Sequence, residues 1–139
     1  MKKGELRSDC PINYALEFLG DKWSLLIIRD LVFEGKQFYK EFLKSKEGIA
    51  TNILSDRLKR LEQLGVVESE VYEKQRTQKV YALSDKGLDL IPVLIELIIW
   101  SSKHKDGLAV EPQLLQQLQE NKIQLIQNVR TKLLKRGTE

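Results

Sequence analysis

The chain has 139 residues, of which 42% are hydrophobic and 31% are charged, and its formal net charge is +3 at pH 7. This size and balance indicate one compact domain with room for an additional long helix, and they exclude a linker-dominated chain. No apolar run approaches the roughly 18 uncharged residues of a membrane span, and the first nine residues lack the apolar core of a signal peptide. We therefore expect a cytoplasmic protein.

The residue counts argue against several classes of enzyme. One histidine, His104, and one cysteine, Cys10, cannot form a Cys/His zinc site or an intramolecular disulfide. The glycine-rich nucleotide-binding motifs and the nucleophile elbow of serine hydrolases are also missing from the sequence. The sequence therefore predicts a protein that is not an enzyme and that has no metal and no cofactor.

Positive charge is concentrated in two segments. Residues 36–60 contain seven Lys and Arg against three acidic residues, and residues 74–79 contain three basic residues and no acid. The rest of the chain has a net negative charge. This distribution indicates a surface that faces a polyanion, although lysines on solvated helix faces would produce it as well.

The apolar periodicity of the first half predicts four helices, over residues 11–19, 22–33, 39–45 and 51–64. The second is apolar on nearly all sides and is predicted to be the central buried helix. In the fourth, Leu54, Leu58 and Leu61 form the inward stripe. Because a short glycine-containing turn joins the third helix to the fourth, this pair has the layout of a helix-turn-helix.

After Gly65 the hydrophobic period changes to about two, which predicts strands over residues 67–72 and 79–83. Between them lies a polar, basic tip. A hairpin that directly follows a helix-turn-helix is a wing.

Two longer helices are predicted to complete the chain. One runs over residues 85–103 with a kink near Pro92, and the other runs over residues 112–135, roughly 36 Å at ~1.5 Å per residue. The apolar stripe of the last helix has no obvious partner within the chain. We therefore predict a homodimer held by the first helix, the Pro92-containing helix and the last helix. The predicted interface residues are Leu16, Trp100, Leu115, Leu118, Ile126, Val129 and Leu133.

Several motifs of the chain are those of one known family. They are Cys-Pro at 10–11, GDKWSLLIIRDL at 20–31, F-x-x-x-F at 38–42, GIATNILSDRLKRLE at 48–62, GVVE at 65–68, Y-x-L-S-x-x-G at 81–87, and PVL at 92–94 with Trp100. In these residues the chain resembles the HxlR-type winged helix-turn-helix transcriptional regulators, a branch related to the MarR regulators. The resemblance implies a bacterial or archaeal homodimer that binds operator DNA and represses or activates nearby genes.

The expected fold is mainly α-helical with a small β-hairpin, a winged helix-turn-helix with flanking dimerisation helices. Residues 1–105 are expected to form the DNA-binding domain together with the N-terminal dimerisation helix. Residues 106–139 are expected to form the C-terminal dimerisation helix of the same compact unit. The expected function is that of a sequence-specific regulator of double-stranded DNA, acting as a repressor. The alternative is a winged-helix module that binds RNA or a protein through its basic face.

The chain departs from the family pattern in three places. Tyr39 stands where many members have a small polar residue, and Ala50 stands where serine is common, so the cap of the fourth helix is expected to fall to Thr51. The tip of the wing carries Arg76 and Thr77 in place of a proline pair. These last two residues make the family's wing contacts hard to transfer to this chain.

The candidate recognition residues lie on the fourth helix, opposite its leucine stripe, and they are Thr51, Asn52, Ser55, Asp56 and Lys59, with Arg60 beside them. In a major groove, asparagine can pair with adenine and aspartate can accept from cytosine. Asp56 could instead form a salt bridge with Lys59 or Arg60. Arg57 lies beside the buried stripe and either reaches a phosphate or pairs within the chain. A purely solvated polar face is the alternative for the whole set.

Two further groups are candidate DNA contacts. Lys74, Arg76 and Thr77 at the tip of the wing are expected to touch the backbone or the minor groove, and Lys36 and Lys40 are expected to touch phosphates. Such contacts position a protein on DNA without reading its sequence.

The single cysteine, Cys10, precedes Pro11 at or next to the N-cap of the first helix. Unpaired N–H groups and the helix dipole favour a thiolate there, whereas the neighbouring Asp9 opposes it. In some members of the resembled family the cysteine at this position responds to oxidants or quinones, and in others it does not. Cys10 is therefore either a redox or electrophile sensor, able to form a disulfide with a partner subunit or a small thiol, or a residue that caps and packs.

Overall fold

The structure is a computed structural model and describes residues 6–136. In chain order its elements are α1 (Pro11–Leu19), α2 (Ser24–Val32), α3 (Tyr39–Phe42), α4 (Thr51–Leu64), β1 (Val67–Val71), β2 (Lys79–Leu83), α5 (Asp85–Leu88), α6 (Ile91–His104), α7 (Pro112–Glu120) and α8 (Lys122–Arg136). The described residues divide into two compact units, with the boundary between Ser84 and Asp85. Within this described range, no helix is both long and apolar enough to cross a membrane.

The core of the first unit is built mainly from α2 and α4. Helix α2 buries Ile27, Ile28, Leu31 and Val32, which confirms it as the central buried helix. Helix α4 buries its predicted leucine stripe, while Phe42 and the residues around the start of β1 complete the core. Each fully buried aliphatic or aromatic side chain of this kind contributes about 1.5–3 kcal/mol to folding.

Helix α4 has the predicted bounds, and its C-terminal end is marked locally. Gly65 follows its last residue with φ of 82°, a left-handed conformation that favours glycine. The N–H of Val66 then donates to the carbonyl of Leu61 at 3.0 Å, which turns the chain directly into β1. The position of the strand is thereby tied to the end of the helix.

The hairpin is antiparallel, with Val67 opposite Leu83 and Val71 opposite Lys79. Its second strand is also held from the other side, since the N–H of Tyr81 donates to the carbonyl of Gln37 at 2.8 Å. The segment that leads into α3 is therefore bonded to β2, and this contact positions the wing against the helix-turn-helix.

The second unit differs from its prediction in two places. The single kinked helix over 85–103 is instead α5 and α6, with Pro92 in the first turn of α6, where its missing N–H removes no helical hydrogen bond. The single helix over 112–135 is instead α7 and α8, which are separated at Asn121 by a non-helical backbone with φ of −126° and ψ of 42°. Leu118 is only 1% exposed, so the prediction that it lacks a partner within the chain was wrong.

Candidate nucleic-acid interface

Helix α4 exposes one polar face opposite its buried leucines. The residues on this face are Thr51, Asn52, Ser55, Asp56, Lys59 and Arg60, all of which are solvent-exposed. Lys40, Lys44 and Lys46, in and after α3, are exposed as well, so α4 and the preceding turn together present several cations. The predicted recognition residues therefore share one accessible surface.

The N-terminus of α4 is open. Ala50 occupies the N-cap position with an extended backbone, and among the described residues no side chain forms a capping hydrogen bond there. Thr51 is the first helical residue, so the expectation that it caps the helix was wrong. Because the positive end of the helix dipole lies at this terminus, it favours a nearby anion.

Tyr39 ties α3 to the exposed face of α4. Its hydroxyl lies 3.0 Å from the carbonyl oxygen of Thr51 and 3.1 Å from the hydroxyl of Ser55. Sequence reasoning did not include Tyr39 among the functional residues. The only signal was its bulk at a position where the resembled family often has a small polar side chain.

Arg57 is engaged within the chain. Its Nε donates to Asp21 Oδ1 at 3.1 Å, and its Nη1 pairs with Asp56. Of the two alternatives for Arg57, the structure therefore contains the internal pairing. The bridge connects α4 to the residues that precede α2, which are 36 positions earlier in the chain.

Asp21 precedes α2 and accepts hydrogen bonds from the residues at the start of that helix, whose N-cap position is Trp23. Its carboxylate accepts from the backbone N–H groups of Trp23 at 2.8 Å and Ser24 at 2.9 Å, and from the Ser24 hydroxyl at 2.6 Å. Burial opposes ionisation of Asp21, but the hydrogen bonds from Ser24, Trp23 and Arg57 outweigh it and lower its pKa to about 2. The carboxylate therefore remains charged at neutral pH and holds Arg57.

Asp56 lies between two arginines. Besides its contact with Arg57, its carboxylate lies 3.9 Å from Arg60 Nη1, one turn along α4. The predicted alternative of a salt bridge with Arg60 is therefore present. These contacts reduce the negative charge that Asp56 would otherwise direct at a phosphate.

A second network links α2 to the turn of the helix-turn-helix. Asp30 is 2% exposed and accepts from Arg29 at 2.8 Å and from the hydroxyl of Ser45 at 2.5 Å. Arg29 also donates two bonds to Glu47, at 2.7 and 2.9 Å. These bonds from Arg29, opposed by burial, lower the pKa of Glu47 to about 2. The turn before α4 is thus held by a bidentate ion pair between Arg29 and Glu47.

Lys36 belongs to the same network. Its ammonium donates to Ser45 Oγ at 2.7 Å and lies 3.6 Å from Asp30 Oδ2. The predicted phosphate contact for Lys36 conflicts with this placement, because its side chain is 19% exposed and its charge is compensated inside the chain. Lys40, by contrast, is exposed on α3 as expected.

The tip of the hairpin is polar and exposed. Lys74, Arg76 and Thr77 all face solvent, and Arg76 makes one long contact of 3.3 Å with Glu73. One backbone hydrogen bond closes the loop, in which the N–H of Tyr72 donates to the carbonyl of Gln78 at 2.9 Å. The basic groups that were expected at the tip of the wing are therefore free to meet a partner.

Cys10 is exposed and occupies the N-cap position of α1. No hydrogen bond from its side chain caps the helix, and its thiol is not part of the core of the chain. The preceding segment folds back along α1, since Arg7 contacts Glu17 at 2.5 Å and Asn13 at 2.8 Å. The structure therefore does not support the capping and packing role for Cys10 within the single chain.

Large apolar side chains are exposed in both units. In the first unit they include Ile12 and Leu16 on α1, which are 71% and 55% exposed. In the second they include Trp100 on α6, at 65%, and Ile123 on α8, at 75%. Of the other predicted interface residues, Leu115, Ile126, Val129 and Leu133 are half-buried, whereas Leu118 belongs to the interior.

These features define a class of protein. A helix-turn-helix with a buried central helix, an exposed polar helix and a basic hairpin behind it is a winged helix-turn-helix. The HxlR-like helix-turn-helix family model matches residues 18–108, and the chain belongs to that family. It is a transcriptional regulator of the HxlR type, which confirms the resemblance noted in the sequence.

Individual relatives agree with this placement. The HTH-type transcriptional regulator YdeP of Bacillus subtilis is 33% identical over 97 residues, which cover 70% of this chain and 75% of YdeP. The structure of quinone-bound YodB from B. subtilis matches with a TM-score of 0.56 at 34% identity, covering 68% of this chain and 99% of that one. The redox regulator HypR in its oxidised form matches with a TM-score of 0.61 at 30% identity, covering 70% and 100%.

Proposed function

We propose that the protein is a homodimer that binds operator DNA in a sequence-specific manner and thereby represses transcription. The observation that carries this proposal is the two-sided construction of α4. One side packs Leu54, Leu58 and Leu61 into the core, and the other exposes polar side chains that can form hydrogen bonds with base edges.

The exposed residues fall into two roles. Thr51, Asn52, Ser55 and Lys59 are the base-reading candidates on α4, and Lys40, Lys74, Arg76 and Thr77 are the backbone contacts. Lys36 and Arg57 belong to neither group, because their charges are engaged by Asp30 and Asp21. Asp56 accepts from its neighbouring arginines and sets their positions.

The shape of α4 favours double-stranded DNA over RNA as the partner. The major groove of B-DNA admits an α-helix, whereas the deep and narrow major groove of an RNA duplex does not. A competition experiment with duplex RNA and duplex DNA of the same sequence distinguishes these two nucleic acids. The other alternative to test is a protein partner.

The test is a titration of the duplex that flanks the protein's own gene, in search of an inverted repeat with half-sites about one helical turn apart. The Asn52→Ala variant is expected to lose about 1–3 kcal/mol of binding free energy and to relax the preference at one base position. Gln63→Ala, an exposed substitution near the other end of α4, is the matched control and is expected to bind as the wild type does. Unchanged preference in Asn52→Ala would refute the proposed reading face.

The proposed homodimer rests on the exposed apolar surfaces of α1 and α6. A glutamate at Leu16 or at Trp100 places a charge in the proposed interface and is expected to shift sedimentation towards the monomer at micromolar concentration. Val71→Glu is the control, because Val71 is an exposed apolar residue on β1, outside the proposed interface. A wild-type chain that sediments as a monomer would exclude the dimer. These point variants are preferable to removing residues 112–139, which would take the buried Leu118 with them.

A second function, electrophile sensing, is favoured by the exposed thiol of Cys10. The structural relatives include a quinone-bound and an oxidised regulator. In the proposed reaction the Cys10 thiolate forms a bond to a ring carbon of a quinone, and the ring takes up the electron pair and a proton to become a hydroquinone thioether.

The sensing proposal is tested by treating the wild type and Cys10→Ser with benzoquinone before DNA titration. We expect the modified wild type to lose affinity and Cys10→Ser to keep it. If the two proteins respond equally, Cys10 is not the sensor.

A further inference from the structure

We propose that Tyr39 sets the hydrogen-bonding character of Ser55 on α4 and is therefore a specificity-determining residue, although it need not touch a base. This inference rests on the proposed binding of DNA through α4. It concerns the direction of one hydrogen bond, between the Tyr39 phenol and the Ser55 hydroxyl.

The direction follows from counting protons. The Tyr39 oxygen lies 3.0 Å from the Thr51 carbonyl oxygen and 3.1 Å from Ser55 Oγ. A carbonyl oxygen can only accept, so the single phenolic proton is required on the Thr51 side. The bond between Tyr39 and Ser55 must then use the proton of the serine.

The consequence concerns what Ser55 offers to a partner. A serine hydroxyl has one proton and two lone pairs, and here the proton points to Tyr39. The exposed Ser55 oxygen therefore presents acceptors to the surroundings of α4. A free serine hydroxyl would rotate and could act as donor or acceptor. Without Tyr39, Ser55 would therefore not distinguish a hydrogen-bond donor from an acceptor on a base.

In the major groove, an acceptor discriminates between bases. Cytosine and adenine present amino donors there, whereas guanine and thymine present carbonyl acceptors. We therefore infer that the base facing Ser55 is a cytosine or an adenine. Discrimination against guanine and thymine is expected to be about three- to tenfold, the range in which one neutral hydrogen bond changes an equilibrium constant.

The experiment starts with the full-length wild type and a pool of duplexes with randomised half-sites, from which the preferred sequence is selected. Affinities for all single-base variants are then measured for the wild type, Tyr39→Phe, Ser55→Ala and the double variant. Tyr72→Phe is the control, since it removes the same hydroxyl from a tyrosine outside α3 and α4. Thermal unfolding establishes that each variant is folded.

We expect Ser55→Ala and Tyr39→Phe to lose discrimination at the same base position, about three- to tenfold, with unchanged salt dependence. The double variant is expected to match Ser55→Ala alone, because both substitutions act on one hydrogen bond. Preferences that are unchanged in Tyr39→Phe, changed at a different position, or lost additively in the double variant would overturn the inference. If Tyr39→Phe does not fold, a wild-type preference for guanine or thymine at the position sensitive to Ser55→Ala overturns it independently. A wild type that selects no duplex sequence would refute the proposed function itself. This outcome differs from those above, in which DNA is bound selectively but Tyr39 has no part in the selection.

Discussion

Helices α4 and α8 have almost the same length, 14 and 15 residues, yet they are built in opposite ways. Helix α4 buries three leucines to 2% exposure or less and presents polar groups to solvent. Among the described residues of α8 none is buried, and Ile123 and Leu134 remain exposed. The first helix is stabilised within its own chain and directs its polar side outward, whereas the second leaves apolar area that a partner could cover.

The difference in burial between α4 and α8 is tested most directly by shortening one apolar side chain in each helix. Leu58→Ala in α4 is expected to lower the free energy of unfolding by about 2–5 kcal/mol, because it leaves a cavity in a closed core. Ile123→Ala in α8 is expected to change it by less than about 0.5 kcal/mol in the monomer, because that side chain is exposed. Urea unfolding followed by circular dichroism measures both, and equal losses would contradict the contrast.

A second test compares a buried ion-pair network in the first unit with an exposed ion pair in the second. Asp30→Asn removes the buried charge that compensates Arg29 and Lys36, and the loss of its charged hydrogen bonds is expected to cost about 1.5–3 kcal/mol of stability. Glu96→Gln, in the exposed pair with Lys122, is the matched control and is expected to cost less than about 0.5 kcal/mol. The same unfolding assay applies. A cost for Glu96→Gln as large as that for Asp30→Asn would show that exposed pairs matter as much as buried ones here.

Acid should weaken the structure around α2 and α4. Because the folded pKa of Asp21 is about 2, below its ordinary 3.8, its ionised form stabilises the folded chain above the ordinary pKa. This contribution, about 1–2 kcal/mol, is lost as the pH falls from about 5 to about 2. Unfolding free energies measured across that range are expected to fall less steeply in Asp21→Asn than in the wild type. Parallel slopes for the two proteins would exclude Asp21 as a source of the pH dependence.

The smallest expected effect lies at the break between α7 and α8. Asn121→Ala replaces a poor helix former with the best one, so helix content is expected to rise slightly and stability to change by no more than about 0.7 kcal/mol. Far-ultraviolet circular dichroism and unfolding measure the two quantities. A loss of several kcal/mol would indicate that the Asn121 side chain itself holds the break.

The elements that were predicted correctly from the sequence are those whose signals lie close together along the chain. Helix α4 was predicted within its observed bounds because Leu54, Leu58 and Leu61 have helical spacing and Gly65 ends the helix. The break at Asn121 was missed because the apolar stripe continues across it, so that periodicity alone favours one helix. Local patterns were thus sufficient where the ends of an element were marked by their own residues.

The sequence patterns could not identify ion-pair partners that are far apart along the chain. Arg57 and Asp21 are separated by 36 positions, and Lys36 is compensated by Asp30 and Ser45 through tertiary folding. Spacing rules describe neighbours on one helix, so they could identify the exposed face of α4. They could not distinguish cations that are free from cations that are already paired.

The bridge between Arg57 and Asp21 also bears on how this protein could be re-engineered. Arg57, Tyr39 and the packing of the leucine stripe hold α4 in place, and none of these contacts involves the side chain of Asn52 or Lys59. Asn52 and Lys59 can therefore be exchanged together without removing these contacts, whereas Ser55 and Asp56 take part in them. Position 57 must stay arginine in any such library, because a lysine cannot reproduce a guanidinium that contacts two carboxylates at once.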